Sequence, residues 1–142
     1  MINTYNNSIL YSIHVINSVL NILRETKQSS LLVYSSDHGL NIFDNDVWLT
    51  AQVKESYHLP LLWYANHSYL ENESNLTLWN SLKQHKDDPV TTSYIFETIS
   101  SLSSIKRDKI DSSKDLTRIT HKISGKREVV GNRKDTIYYE DY

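Results

Sequence analysis

Three consecutive residues, Asp37-His38-Gly39, concentrate the most chemistry in this sequence. A carboxylate and an imidazole are both ligands for a divalent metal such as zinc. Neighbours in a chain converge on one ion only where the backbone bends sharply. A glycine directly after them allows that bend without a Cβ to obstruct it. The chain has only 3 glycines, so its placement here is informative. The plain alternative is an ordinary turn, with Asp37 capping it and His38 in solvent. Three residues alone do not separate the two.

The elements around the triplet must position it. Ile9, Ile13, Ile16, Leu20 and Leu23 step by four and three, which predicts a helix over about 7–26, with Asn7 or Ser8 as its cap. Residues 31–34, Leu-Leu-Val-Tyr, are too short and too β-rich for a helix and predict a buried strand. A helix leading into a fully apolar strand is half of a βαβ pattern. It points to an α/β fold with a mostly parallel sheet flanked by helices. In open sheets of that kind, ligands bind beyond the carboxyl ends of the strands, where Asp37 and His38 fall. Periodicity is lost over 39–57, which predicts a long functional loop. A second buried strand is expected over 58–65, with Pro60 near its start.

Further on, 76–82 reads as a short helix or irregular chain. Residues 91–105 read as a helix, with Ile95, Ile99 and Leu102 on one face and Thr92 or Ser93 as cap. Residues 106–127 are dense in Lys, Asp and Ser and read as a polar surface excursion. Residues 128–130 and 136–139 predict a closing strand pair around Gly131-Asn132.

Composition narrows the function classes. At 142 residues the chain fits a single domain or part of a larger one. Hydrophobic residues at 39% and charged residues at 23% fit a globular protein. A formal charge of -2 gives no electrostatic case for nucleic acid or an anionic membrane. The absence of cysteine excludes disulfides and thiolate metal sites. No apolar run reaches the roughly 18 residues of a membrane span, and the first residues lack the pattern of a signal peptide. Asn-X-Ser/Thr triplets begin at Asn6, Asn66, Asn72 and Asn75, as chance allows in so Asn- and Ser-rich a chain.

Taken in order, several segments resemble one family. Tyr5-Asn6-Asn7-Ser8-Ile9-Leu10-Tyr11 and Tyr34-Ser35-Ser36-Asp37-His38-Gly39, with the helix and strand between them, are similar to a segment of the phosphoethanolamine transferases of the sulfatase and alkaline phosphatase superfamily. Leu59-Pro60-Leu61-Leu62-Trp63, Ser93 to Ile99, and the tail from Arg127 to Asn132 and Tyr138 to Tyr142 continue the likeness.

The resemblance implies that residues 1–142 form one partial domain, the C-terminal part of a sulfatase-like sandwich that is incomplete in this chain. It implies that Asp37 and His38 are two of four ligands to a catalytic zinc. The other ligands and a threonine nucleophile would lie upstream of the matched segment. Thr4 and Thr50 do not match that threonine. The implied donor is phosphatidylethanolamine, and the implied acceptor is lipid A or a core sugar of lipopolysaccharide. An intact relative would sit in the inner membrane with this part in the periplasm. The chain departs from the family at Leu40, where a glutamate is usual. It also departs over 40–57, where a substrate-phosphate histidine is usual and Trp48 and Thr50 stand instead. These departures keep a second reading open, a non-catalytic sulfatase-like binding or structural domain. An unrelated small α/β protein is a third.

The other histidines carry less. His14 reads as helix surface and His58 as a structural residue at a strand entrance. His67, His85 and His121 stand in polar stretches and are expected in solvent. Trp63-Tyr64 and Tyr138-Tyr139 read as packing, and Lys106 to Lys109 as a solvated face.

Overall fold

A computed structural model of the chain describes residues 2–40, 54–129 and 137–141. They fall into two compact units, Met1–Leu70 and Glu71–Tyr142.

The first unit opens with a 24-residue helix, Ile2–Glu25 (α1). It starts before the expected caps, so Asn7 and Ser8 lie inside it. The hydroxyls of Ser8, Ser12 and Ser18 bond back to the carbonyls of Tyr5, Ser8 and His14. That local bonding lets serines be accommodated mid-helix. Arg24 stands in the last turn, where the helix dipole favours a cation. The predicted apolar stripe is buried only toward its end. Leu20 is buried, Ile16 and Leu23 are half-buried, and Ile9 and Ile13 are exposed.

The strand Leu31–Ser35 (β1) pairs with Leu61–Ala65 (β2), in register from Leu31 opposite Ala65 to Ser35 opposite Leu61. The ladder is antiparallel, and so is the closing pair described below. The expected mostly parallel sheet is therefore not what the described strands form. Apolar runs record that a strand is covered, not which way its neighbour points. β1 is also half-buried along its length rather than fully buried.

One side chain ties this unit together. Asn66 is 1% exposed. Its Oδ1 accepts from the N–H groups of Ser30 and Tyr69, and its Nδ2 donates to the carbonyls of Leu23, Thr26 and Gln28. It thereby takes one carbonyl of the last turn of α1, at Leu23, and two of the chain just after it, and starts the short helix His67–Leu70 (α2). The residue that begins a chance glycosylation triplet is in fact an internal strut.

The second unit packs the helix Glu73–Gln84 (α3) beside Ile95–Leu102 (α4). Asn72 caps α3 by accepting from the Asn75 N–H at 3.1 Å. A 3-10 turn, Thr92–Tyr94, leads into α4, so the helix expected over 91–105 is real but shorter. Leu82, Leu102, Leu116 and Ile119 form the apolar core. The polar segment 106–127 does not stay wholly on the surface, because Asp115, Leu116, Thr117 and Ile119 are buried. Glu128–Val129 (β3) and Ile137–Tyr138 (β4) make the predicted closing pair. Gly131-Asn132, expected at its turn, lie outside the described residues. Among the described residues no helix is long and apolar enough to cross a membrane.

Candidate metal centre

β1 delivers the chain directly into the Asp37-His38-Gly39 turn. Ser36 Oγ donates to the His38 carbonyl at 2.7 Å, and Asp37 Oδ1 accepts from the His38 N–H at 3.0 Å. These short local bonds fold the two functional side chains onto one side of the turn. Gly39 then docks on the 3-10 turn Lys54–Tyr57, donating its N–H to the Ser56 carbonyl at 2.8 Å. A Cβ at Gly39 would stand 2.1 Å from the Glu55 carbonyl oxygen. The glycine is thus required by close backbone approach. The bend alone, which the sequence pointed to, does not explain it.

The turn also sets the chemistry of the imidazole. His38 Nδ1 lies 2.9 Å from the Gly39 carbonyl oxygen. A carbonyl only accepts, so Nδ1 donates, and in the neutral ring the lone pair is then on Nε2. A backbone carbonyl of this kind commonly fixes the tautomer of a metal-binding histidine. Nε2 lies 3.8 Å from Asp37 Oδ2, too far for a hydrogen bond. Two donors about 2.0–2.1 Å from a tetrahedral zinc are separated by roughly 3.4 Å. Oδ2 and Nε2 therefore fit one edge of such a site after a small adjustment. The Asp37 side chain is 87% exposed and that of His38 47%, so both face solvent. Among the described residues no group of three or more His, Asp or Glu side chains could hold a metal. The donor set fits as a pair.

The other sequence-predicted positions scatter. His14, His58, His67 and His121 are exposed, as is Thr4. Trp48 and Thr50 lie outside the described residues. His85, expected in solvent, is buried. Its Nδ1 lies 2.7 Å from Asp88 Oδ2 and its Nε2 3.0 Å from the Ile119 carbonyl oxygen. That hydrogen bond holds the Asp88 carboxyl below the usual carboxylate range, with the Ile123 N–H acting in the same direction.

Sequence reasoning missed a second polar centre in the Glu71–Tyr142 unit. Asp115 is fully buried and accepts from Ser101 Oγ, the Thr117 N–H and hydroxyl, and Arg118 Nε. Arg107 Nη1 donates to Glu97 while its guanidinium lies 4.4 Å over the Phe96 ring. The Asp-X-Thr spacing at Asp115 is the one local signal, since Asp readily bonds the backbone two residues on.

The family model for sulfatases matches residues 1–105 of this chain. The phosphoethanolamine transferase EptA of Helicobacter pylori is 29% identical over 90 residues, covering 60% of this chain and 17% of the relative. The Kdo(2)-lipid A phosphoethanolamine 7''-transferase of Escherichia coli K12 is 30% identical over 105 residues, covering 70% of this chain and 18% of the relative. The E. coli K12 phosphoethanolamine transferase EptA is 22% identical over 134 residues, covering 87% of this chain and 24% of the relative. The chain thus spans a quarter or less of the length of these relatives. No solved structure gives a significant match.

Proposed function

Since this chain belongs to the sulfatase family, we propose that it forms the C-terminal part of the catalytic domain of a phosphoethanolamine transferase and supplies Asp37 and His38 as zinc ligands. Both compact units belong to that one domain in this reading. The β1–β2 ladder would join a larger sandwich whose mostly parallel strands lie in sequence this chain does not contain. The relatives' names support the reaction class, and one names Kdo(2)-lipid A. The substrates we infer are phosphatidylethanolamine as donor and lipid A or a lipopolysaccharide core sugar as acceptor. The intact enzyme would sit in the inner membrane with this part in the periplasm.

The observation that carries the site is the turn itself. Asp37 Oδ2 and the free lone pair of His38 Nε2 stand side by side, on a backbone locked by Gly39 against Lys54–Tyr57. A zinc ion held there would acidify a nearby hydroxyl and offset the charge developing on phosphate oxygens. This chain's part is to present the two donors in a fixed orientation. His38 turns Nδ1 to the Gly39 carbonyl and so leaves Nε2 to face the ion, and Asp37 offers its outer oxygen while the inner one is occupied by the His38 N–H. Two donors bind an ion weakly, and the nucleophilic threonine of the family lies elsewhere, so this chain alone would be inactive in transfer.

The test is a zinc titration of the 142-residue chain followed by NMR of its histidine rings. The His38 ring should respond at the lowest zinc concentration among the 6 histidines. Asp37→Ala and His38→Ala should each abolish that first step. Unchanged uptake in both variants would remove the ligand assignment. It would instead favour a non-catalytic sulfatase-like binding or structural domain, which Leu40 in place of the usual glutamate also favours.

A further inference from the structure

A hollow of about 450 Å³ opens in the Glu71–Tyr142 unit, lined by Lys106, Arg107 and Arg118 together with Leu78, Ile105 and Ile110. That volume suits a small ligand, and its chemistry has two halves. The cations are only partly neutralised. Arg118 gives Nε to Asp115, whose two oxygens also take Ser101 and Thr117. Its terminal guanidinium nitrogens make no bond among the described residues, and its side chain is half exposed. Arg107 gives one nitrogen to Glu97 and rests on Phe96. Lys106 has no hydrogen bond or ion pair among the described residues. Three cations thus face two carboxylates that are already engaged. The two arginines are fixed in place by buried or nearly buried acids, Asp115 at 0% and Glu97 at 11% side-chain exposure. Guanidinium groups held this way are preorganised forks for phosphate oxygens. The second half is apolar, with Ile105 54% and Ile110 42% exposed.

The backbone at the rim adds a detail. The α4 helix ends in a Schellman turn, with Ser104 N–H bonding to the Ser101 carbonyl and Ile105 N–H to that of Ser100. The left-handed position, φ 53°, is held by Ser104, where glycine is the residue at least cost. Ser104 itself lines the hollow.

We propose that this hollow is a binding site for a phosphate group carried on an amphiphile, with Lys106, Arg107 and Arg118 taking the phosphate and Leu78, Ile105 and Ile110 the adjoining apolar chain. A phosphomonoester brings roughly two negative charges and three strong acceptors, which matches the free donors here. The ligand is of the chemical class already named for the substrates, and what is new is the site. It stands on residues of the second unit alone and holds whether or not Asp37 and His38 bind zinc.

The experiment is a ¹H–¹⁵N NMR titration of the 142-residue chain with three probes, octyl phosphate below its micelle threshold, inorganic phosphate and octyl glucoside. Octyl phosphate should shift the amides of Ser104 to Arg107 and the side-chain signals of Arg118. Inorganic phosphate should move the same cationic residues about tenfold more weakly, and octyl glucoside should leave them in place. Lys106→Glu, at an exposed position, should reduce octyl phosphate affinity about tenfold while the remaining spectrum is preserved. Equal affinity for octyl phosphate and inorganic phosphate would assign the site to free phosphate and overturn the amphiphile. Equal responses to octyl phosphate and octyl glucoside, or an unchanged affinity in Lys106→Glu, would overturn the phosphate site altogether.

Discussion

The two halves of this chain place their acid–base pairs differently. In Met1–Leu70, the acid and imidazole with the clearest chemistry stand in solvent on a turn, and the apolar residues of α1 are largely exposed toward its start. In Glu71–Tyr142, the acids Asp115, Asp88 and Glu97 are drawn inward and paired with Arg118, His85 and Arg107. In the first half Asp37 and His38 stay open to a ligand. The second engages Asp115, Asp88 and Glu97 in holding a loop-rich segment, and leaves the outer faces of Arg107 and Arg118 beside Lys106 at one hollow. The difference teaches that an acidic residue signals function by what remains unpaired around it. Its mere presence in a polar stretch carries little information.

The sharpest way to break this contrast is at Asp115. Asp115→Ala strands Arg118, Thr117 and Ser101 at once, and we expect a loss of about 4 kcal/mol. Urea unfolding followed in the Glu71–Tyr142 unit measures it, and a loss under 1 kcal/mol on that scale would mean the network is not structural. Asn66→Ala is its counterpart in the first unit. It removes an amide that serves five backbone groups, and we expect about 3 kcal/mol. Fast hydrogen exchange at the Ser30 and Tyr69 amides should accompany the loss.

Acid sharpens the comparison next. The folded-state pKa of Asp88 lies below its ordinary 3.8. Its contribution is therefore present above that value and is lost as pH falls through the lower folded value. Exchange at the Ile123 N–H should accelerate only once the pH is taken below 3.8, and Asp88→Asn should abolish that acid-dependent step. Exchange insensitive to pH beyond its intrinsic chemistry would place the clamp elsewhere. The smallest effect is expected at the α4 terminus. Ser104→Gly relieves a left-handed residue and should stabilise by about 0.5 kcal/mol, read as a small rise in the urea midpoint.

Legibility in the sequence followed the range of the interactions. The α1 helix, the β1 strand and the closing strand pair were visible because each is written in spacing over a few residues. The Asp37-His38 turn was visible for the same reason, as its bonds run between neighbours. His85 was misjudged, and the role of Asn66 was missed. Each owes its place to partners more than 30 residues away in sequence, such as Gln28 for Asn66 and Ile119 for His85. A polar residue looks the same in a one-dimensional window whether it ends in water or inside.

The sequence by itself determined where α1, β1, β2 and α4 form to within a few residues, which turn holds Asp37 and His38, and which family the ordered motifs resemble. Those properties depend on side-chain type and short spacing. Only the tertiary structure decided the antiparallel direction of the ladder, the burial of Asp115, and the close approach of the Glu55 carbonyl that leaves room for glycine alone at position 39. These depend on segments distant in the chain meeting in space. The free energy of burying a polar or backbone group is set by the partner that arrives there.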